Sequence, residues 1–370
     1  MLPQVLKKGD LGAWLEALAK SRKVAAPILK ETSVSDRTDL KFAWDYVVDP
    51  ARQPSGHGTV AAATGVAVAS PAEVRLDYTT TVLGPKKFLW PSRQTVLTYS
   101  LGGAADPQPV IEHEPQVLFG VHPCDITALA TLDAAFGKDV PDPHYLSRRA
   151  DTAIIGMDCA APCDASCFCL DMGSLYPESG YDVMLAPQRD HYFVEVKTDL
   201  GQQLVKAAKL QPSTKTDMQA RQAFTDEKRG NFHFQLPCEV KYLPEVLDAS
   251  YDSLVWEAIA RRCFACGSCN TVCPTCYCWD VWDDLSMDLT KGCRIRRYDS
   301  CQLDPFAEVA GGENFRKDRS SRLRHRMFRK GKFILEQTGR TGCVGCGRCE
   351  RACVAGISIK ETFVQIAGSR

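Results

Sequence analysis

Several things are missing from this 370-residue sequence. No cysteine occurs before Cys124. The N-terminus, Met1 to Lys8 and then Asp10, lacks the charged, apolar and small-residue succession of a secretory signal. No apolar run reaches the length that spans a bilayer. The longest soft stretch, Val60 to Ser70, is short and mostly Ala, Gly and Val. Charge of one sign is also lacking: 45 Lys and Arg face 45 Asp and Glu. A protein whose main partner is nucleic acid is usually strongly basic. No glycine-rich fingerprint follows a strand and no phosphate loop is present, so this chain is not expected to bind NAD(P)H itself. None of the seven histidines falls in a metal-type repeat, and His122 beside Pro123 reads as a packing residue. These absences argue against a secreted disulfide scaffold, a membrane span and a nucleic-acid binder. They point to a reducing, cytoplasmic setting.

What is present in excess is cysteine, 18 in all. Five fall between Cys124 and Cys169, Cys238 stands alone, and twelve lie from Cys263 onward. In a reducing compartment, clustered thiols bind metal or do redox chemistry more often than they cross-link. The length suits two or three domains. The cysteine distribution divides the chain into a 1–110 α+β region, a 111–245 α/β domain with its own thiols, and a 250–370 domain.

Periodicity fills in the elements. The first 25 residues read as an amphipathic helix with Leu11, Trp14, Leu15 and Leu18 on one side. Residues 40 to 110 hold short β-type runs such as Arg75 to Val82. Gln116 to Val121 is a buried-strand candidate, followed by a helix over Ile126 to Phe136 ended by Gly137, and a strand over Ala153 to Met157. Residues 181 to 205 alternate like paired strands and then turn helical. From 250 the pattern is helices interrupted by cysteine loops. The fold class expected is an α/β (α+β) N-terminal part with a mainly helical, di-cluster ferredoxin-like C-terminal domain.

The strongest signal is Cys263-x2-Cys266-x2-Cys269-x3-Cys273-Pro274, followed 80 residues later by Cys343-x2-Cys346-x2-Cys349-x3-Cys353. Three closely spaced thiolates grip one iron–sulfur cube, and the fourth cysteine of each run serves the other cube. On that logic Cys263, Cys266, Cys269 and Cys353 hold one [4Fe–4S] cluster, and Cys343, Cys346, Cys349 and Cys273 hold a second. Gly267, Gly345 and Gly347 suit loops that wrap an inorganic core. The competing reading is zinc, which uses paired Cys-x2-Cys knuckles rather than runs of four. Val354 departs from the pattern, because Pro is usual after the last cysteine of such a run. Both runs are used as cluster ligands, so no thiol pair is left for a nickel–iron site, and no catalytic residue is expected.

Upstream, Cys124 opens a helix, where free N–H groups and the helix dipole favour a thiolate or an anionic cluster. Cys159 ends a strand, and Cys163, Cys167 and Cys169 follow in a loop. Five cysteines at one edge of an α/β unit could supply four ligands for a third cluster, or could be packed thiols with or without zinc. Cys276, Cys278, Cys293 and Cys301 read as shell residues that do not bond iron, and Cys238 as a packed thiol. The basic run from Arg316 to Lys332 reads as a solvated helix face or as charge compensation for anionic cubes.

Many short stretches resemble one family. They include Val121-His-Pro-Cys-Asp125, Asp142-Pro-His-Tyr145 with Arg148 and Arg149, and Ile155-Gly-Met-Asp-Cys159. Others are Cys167-Phe-Cys169 before Met172-Gly173, Cys273-Pro-Thr-Cys276, Arg296 and Arg297 before Tyr298-Asp-Ser-Cys301, Ala310-Gly-Gly312 and Val344-Gly-Cys-Gly-Arg-Cys349. The family comprises the β subunits of sulfhydrogenase-type [NiFe] hydrogenases and the A subunit of anaerobic sulfite reductase. The resemblance covers roughly residues 110 to 365, with fainter likeness at the N-terminal helix and at Phe88-Leu-Trp-Pro91. It implies an iron–sulfur electron-transfer subunit of a cytoplasmic oxidoreductase complex, not catalytic alone. It further implies a flavoprotein partner that carries FAD and NAD(P)H, and a catalytic partner such as a [NiFe] hydrogenase or a sulfite reductase. For the upstream site it implies Cys124, Cys159, Cys167 and Cys169 as ligands of a third [4Fe–4S] cluster, with Cys163 as an extra or alternative ligand. Rival readings are a sulfite or polysulfide reductase subunit, a heterodisulfide-linked bifurcating complex, a self-sufficient enzyme with open iron upstream, and a zinc-structured interaction module.

Overall fold

The computed structural model describes residues 3–29, 42–48, 59–60, 67–102 and 106–368. Most of the Val60 to Ser70 run, residues 61–66, lies outside them. Fourteen strands appear among the described residues. In chain order they are β1 (Gln4–Lys7), β2 (Lys23–Leu29), β3 (Phe42–Val48), β4 (Thr59–Val60), β5 (Ala67–Ala69), β6 (Arg93–Ser100) and β7 (Gln108–Pro109). There follow β8 (Gln116–Val121), β9 (Thr152–Met157), β10 (Val183–Pro187), β11 (His191–Val196), β12 (Gln211–Pro212), β13 (Trp279–Leu285) and β14 (Lys291–Tyr298).

Ten of these strands form one sheet in the order β12-β1-β11-β10-β9-β8-β2-β3-β5-β4. Its centre, β10, β9, β8 and β2, is parallel. All six residues of β8 and all six of β9 are buried, the continuous apolar run of strands covered on both faces. On one face Val117 and Phe119 pack with Trp14, Leu15 and Leu18 of the helix Leu11–Ala19. On the other, Leu118 and Val121 pack with Ile126, Leu129, Leu132 and Phe136 of the helix Pro123–Gly137. Trp14 meets Phe119 edge-on at 5.1 Å and donates its Nε1–H to the Leu204 carbonyl at 3.0 Å.

The sequence reading needs two corrections here. The N-terminal segment is a strand, a nine-residue helix and a second strand, because the apolar residues outside Leu11–Ala19 join the sheet. Arg75 to Val82 is irregular rather than a strand; only Val74 bridges, to Ile28. The expected elements at 116–121, 126–136, 153–157 and 181–205 all form, as β8, the helix Pro123–Gly137, β9 and the antiparallel pair β10–β11 followed by the helix Asp199–Val205.

The C-terminal region is mainly helical. Leu243, Leu247, Trp256, Ile259, Leu323, Met327, Phe363 and Ile366 make a second core, joined by Phe168 and Met172, and Cys343 is buried within it. One hairpin, β13 and β14, interrupts the helices and joins β6 and β7 in a second, antiparallel sheet. The Asp142–Pro143 stretch fastens this sheet to the α/β part. Asp142 accepts from the Tyr145 N–H as a helix cap and pairs with Arg296 of β14, whose guanidinium lies 4.0 Å over Trp90. Arg148 donates to Gln94 of β6 at 2.7 Å, and Arg149 pairs with Asp133 at 3.0 Å. These motif residues therefore act as struts. Among the described residues no helix is long and apolar enough to cross a membrane.

Candidate iron–sulfur sites

Each C-terminal cysteine run folds the same way. A glycine in the left-handed region, Gly267 or Gly347, precedes a one-turn helix, Ser268–Thr271 or Arg348–Arg351, that carries the third cysteine. The turn is tight enough to aim three sulfurs inward. Cys263, Cys266 and Cys269 line one cavity, and the fourth cysteine in its wall is Cys353, from the other run. The other thiols lie within electrostatic reach of one another: Cys343 of Cys349 and Cys273, and Cys346 of both Cys124 and Cys273. Cys269 of the first group faces Cys349 of the second, so the two groups adjoin. Burial pushes the Cys269 thiol up to about 11 and Cys343 to about 12. Such thiols give up their protons to a metal core rather than to water.

The upstream thiols meet at the carboxyl ends of adjacent parallel strands, where open α/β sheets place their ligands. Cys124 follows β8, and Cys159 follows β9. Cys169 faces Cys124 and Cys167, and Cys159 faces Cys124 and Cys167. Cys163 also touches Cys167, but its Sγ–H donates to the Thr79 carbonyl at 2.6 Å. His122 is buried and stacks on Tyr78 at 4.0 Å; burial lowers it to about 4, which keeps it neutral.

The upstream loop is latched to the second C-terminal run. Phe168 N–H donates to the Gly345 carbonyl at 2.8 Å, Ser174 Oγ to the Val344 carbonyl at 2.6 Å, and Cys169 Sγ to the Gly345 carbonyl at 3.3 Å. Gly345 has φ +65°, and a Cβ there would lie 2.4 Å from the Phe168 oxygen, so only glycine allows this approach. The three thiol groups thus follow one another, with Cys343, Cys346, Cys349 and Cys273 in the middle.

Cys276, Cys278 and Cys301 gather beside the middle group around Asn270. Asn270 Nδ2 donates to Cys301 Sγ at 3.1 Å, and Cys276 Sγ to Asn270 Oδ1 at 3.6 Å. Contact with Cys278 lowers the Cys301 thiol to about 6 against the opposing effect of burial. Cys293 lies away from these groups in the hairpin, and Cys238 packs against the helical core.

The sequence offered charge compensation for the Arg316 to Lys332 run but did not single out the residues that face the thiols. Arg322, Arg326 and Lys330 are buried, four residues apart, on one stripe with Leu323 and Met327. That spacing was readable in the Arg316 to Lys332 run, which is therefore no uniformly solvated face. Lys330 sits on a π-helical turn, Arg329–Phe333. Arg326 faces the sulfurs of Cys269, Cys349, Cys276 and Cys273, and these outweigh burial to hold its pKa well above the ordinary value. Lys86 and the bidentate Arg348–Asp125 pair, both oxygens at 2.7 Å, had no signal in the sequence.

The donor sets suit iron–sulfur cubes: all-thiol, in fours, on loops narrow enough to enclose an inorganic core. Arg326 lines the first cavity, and its Nη2 is buried without a hydrogen-bond partner among the described residues, a charge that an anion would answer. Among the described residues no three His, Cys, Asp or Glu side chains are grouped as a ready-made metal-ion site, for zinc or for iron.

A family model described as 4Fe-4S dicluster domain matches residues 262–357. The chain is 36% identical over 287 residues to sulfhydrogenase 2 subunit beta of Pyrococcus furiosus, covering 77% of this chain and 83% of that protein. The chain belongs to the sulfhydrogenase β-subunit family. As a member with a dicluster domain it is an iron–sulfur electron-transfer protein of the oxidoreductase class. No solved structure gives a significant match to it.

Proposed function

We propose that this family member is the relay arm of a cytoplasmic multi-subunit oxidoreductase. It moves electrons between a partner that binds FAD and NAD(P)H and a catalytic partner of the [NiFe]-hydrogenase type. The cubes, when bound, accept and give up single electrons; the chain's residues hold, insulate and space them. Cys263, Cys266, Cys269 and Cys353 hold the first, and Cys343, Cys346, Cys349 and Cys273 the second. Cys124, Cys159, Cys167 and Cys169 hold a third, with Cys163 outside the ligand set. The observation that carries this reading is the single cavity walled by Cys263, Cys266, Cys269 and Cys353, four thiols from two runs.

The middle ligands Cys273 and Cys343 are buried, whereas Cys266 is exposed between Phe264 at 70% and Val354 at 82% exposure. The first group is therefore the solvent-facing terminus of the relay. Oxygen-free purification of the tagged chain from its host, with mass spectrometry of what accompanies it, tests the proposal. A flavoprotein together with a nickel–iron hydrogenase pair is expected. A sirohaem reductase in place of the hydrogenase moves the role to sulfite reduction. A chain that comes down alone and turns over a substrate refutes the relay.

A further inference from the structure

Lys86, Arg326 and Lys330 are 5, 4 and 2% exposed. Among the described residues none of them has a carboxylate partner. Lys86 Nζ donates to the carbonyl oxygens of Cys273 and Cys276, both at 2.9 Å. Lys330 Nζ donates to Thr275 Oγ1 at 2.8 Å. Arg326 Nε donates to Asn270 Oδ1 at 2.9 Å, while its Nη2 has no hydrogen-bond partner among the described residues. Three cations from two distant segments thus converge on the Asn270–Cys276 stretch that links the two C-terminal thiol groups. Burying a cation without a counter-charge is costly. The fold accepts this cost three times in one place.

We infer that Arg326, Lys330 and Lys86 are the built-in counter-charge of the two C-terminal cubes. They raise the reduction potentials of these cubes above that of the upstream site, so that electrons come to rest on the dicluster pair. The inference rests on the ligand assignment proposed above. A cube with four thiolates is anionic, and each added electron adds negative charge. A fixed cation therefore favours the reduced form, and more strongly in a low-dielectric interior than in water. Arg326 faces Cys269 of the first group and Cys273 and Cys349 of the second, so it acts on both. Lys330 faces Cys273 and Cys343, and Lys86 faces Cys273, so these two act on the second. Beside the upstream group Arg348, Lys228 and Arg351 are each paired with a carboxylate, Asp125, Asp158 and Asp164, and Arg351 also reaches Cys167 Sγ at 3.9 Å, so this group carries the smaller net bias.

The test is a redox titration followed by electron paramagnetic resonance on the full chain, purified without oxygen. The variants are Arg326→Gln, Arg326→Lys and Lys86→Met. In wild type the upstream signal should titrate at the most negative potential. In Arg326→Gln both dicluster signals should move to more negative potential. Held at the wild-type midpoint, their reduced-to-oxidised ratio should fall about tenfold, equivalent to 59 mV for a one-electron couple. Arg326→Lys should largely restore it, Lys86→Met should move only the second signal, and the upstream signal should stay in place. Unchanged midpoints in an iron-replete Arg326→Gln overturn the inference, as does an Arg326→Lys that shifts as far. If Arg326→Gln fails to retain iron, Lys86→Met decides, since Lys86 lies on a separate segment. A wild-type chain without acid-labile sulfide overturns both this inference and the ligand assignment.

Discussion

Around the upstream thiols, each nearby cation has a carboxylate: Arg348 with Asp125, Arg351 with Asp164, and Lys228 with Asp158. Around the C-terminal pair, Lys86, Arg326 and Lys330 have none among the described residues. The hydrophobic surroundings differ as well. The main sheet core, with Trp14, Phe119 and Ile155, contains no cysteine. In the helical core Cys343 is a buried member, with Cys263, Cys349 and Cys353 packed against it. One region is thus a self-sufficient protein fold that carries thiols at its edge. The other is built around charge and volume that its side chains alone do not supply.

Iron removal should expose this difference most strongly. After chelation under reducing conditions, hydrogen exchange should show residues 263–273 and 343–353 losing protection, while Gln116–Val121 and Thr152–Met157 keep theirs. Equal loss in both regions would break the comparison. Next in size is Asp125→Asn, which leaves Arg348 charged and unpaired at 2% side-chain exposure. The expected loss is about 3–5 kcal/mol in urea unfolding, with much of it recovered by the double change Asp125→Leu, Arg348→Met. Gly345→Ala forces a side chain into the Phe168 carbonyl at positive φ. It should cost about 1–3 kcal/mol and loosen the latch, read as faster exchange of the Phe168 amide. The smallest effect is expected at Cys163: Cys163→Ser should leave the iron content unchanged, whereas Cys167→Ser should lose the upstream iron.

How much of this was legible in the sequence depended on whether the signal was local. The six-residue buried strands and the helix after Cys124 were readable, because apolar runs and punctuation by Pro123 and Gly137 are near in sequence. The two C-terminal cysteine runs were as plain, since Cys-x2-Cys-x2-Cys-x3-Cys encodes a loop shape. The hairpin β13–β14 was hidden because its alternation, as in Trp279–Leu285, is broken by Asp and Trp facing solvent. Its place in a sheet is set by β6, nearly 200 residues away. Arg348–Asp125 and Lys86 with Cys273 join residues 223 and 187 apart, and no window of sequence reports such pairs. Arg326 and Lys330 are the intermediate case. Their four-residue spacing and a charge-compensating role for the run were visible, but which of its cations turn inward is set by partners outside the run.

The most direct test of the relay is to count iron and acid-labile sulfide in the chain purified without oxygen, with the reduced spectrum taken on the same sample. Three cubes predict roughly twelve irons, as many sulfides, and interacting paramagnetic signals. Roughly eight irons would remove the upstream site from the relay, and zinc without sulfide would contradict the account altogether.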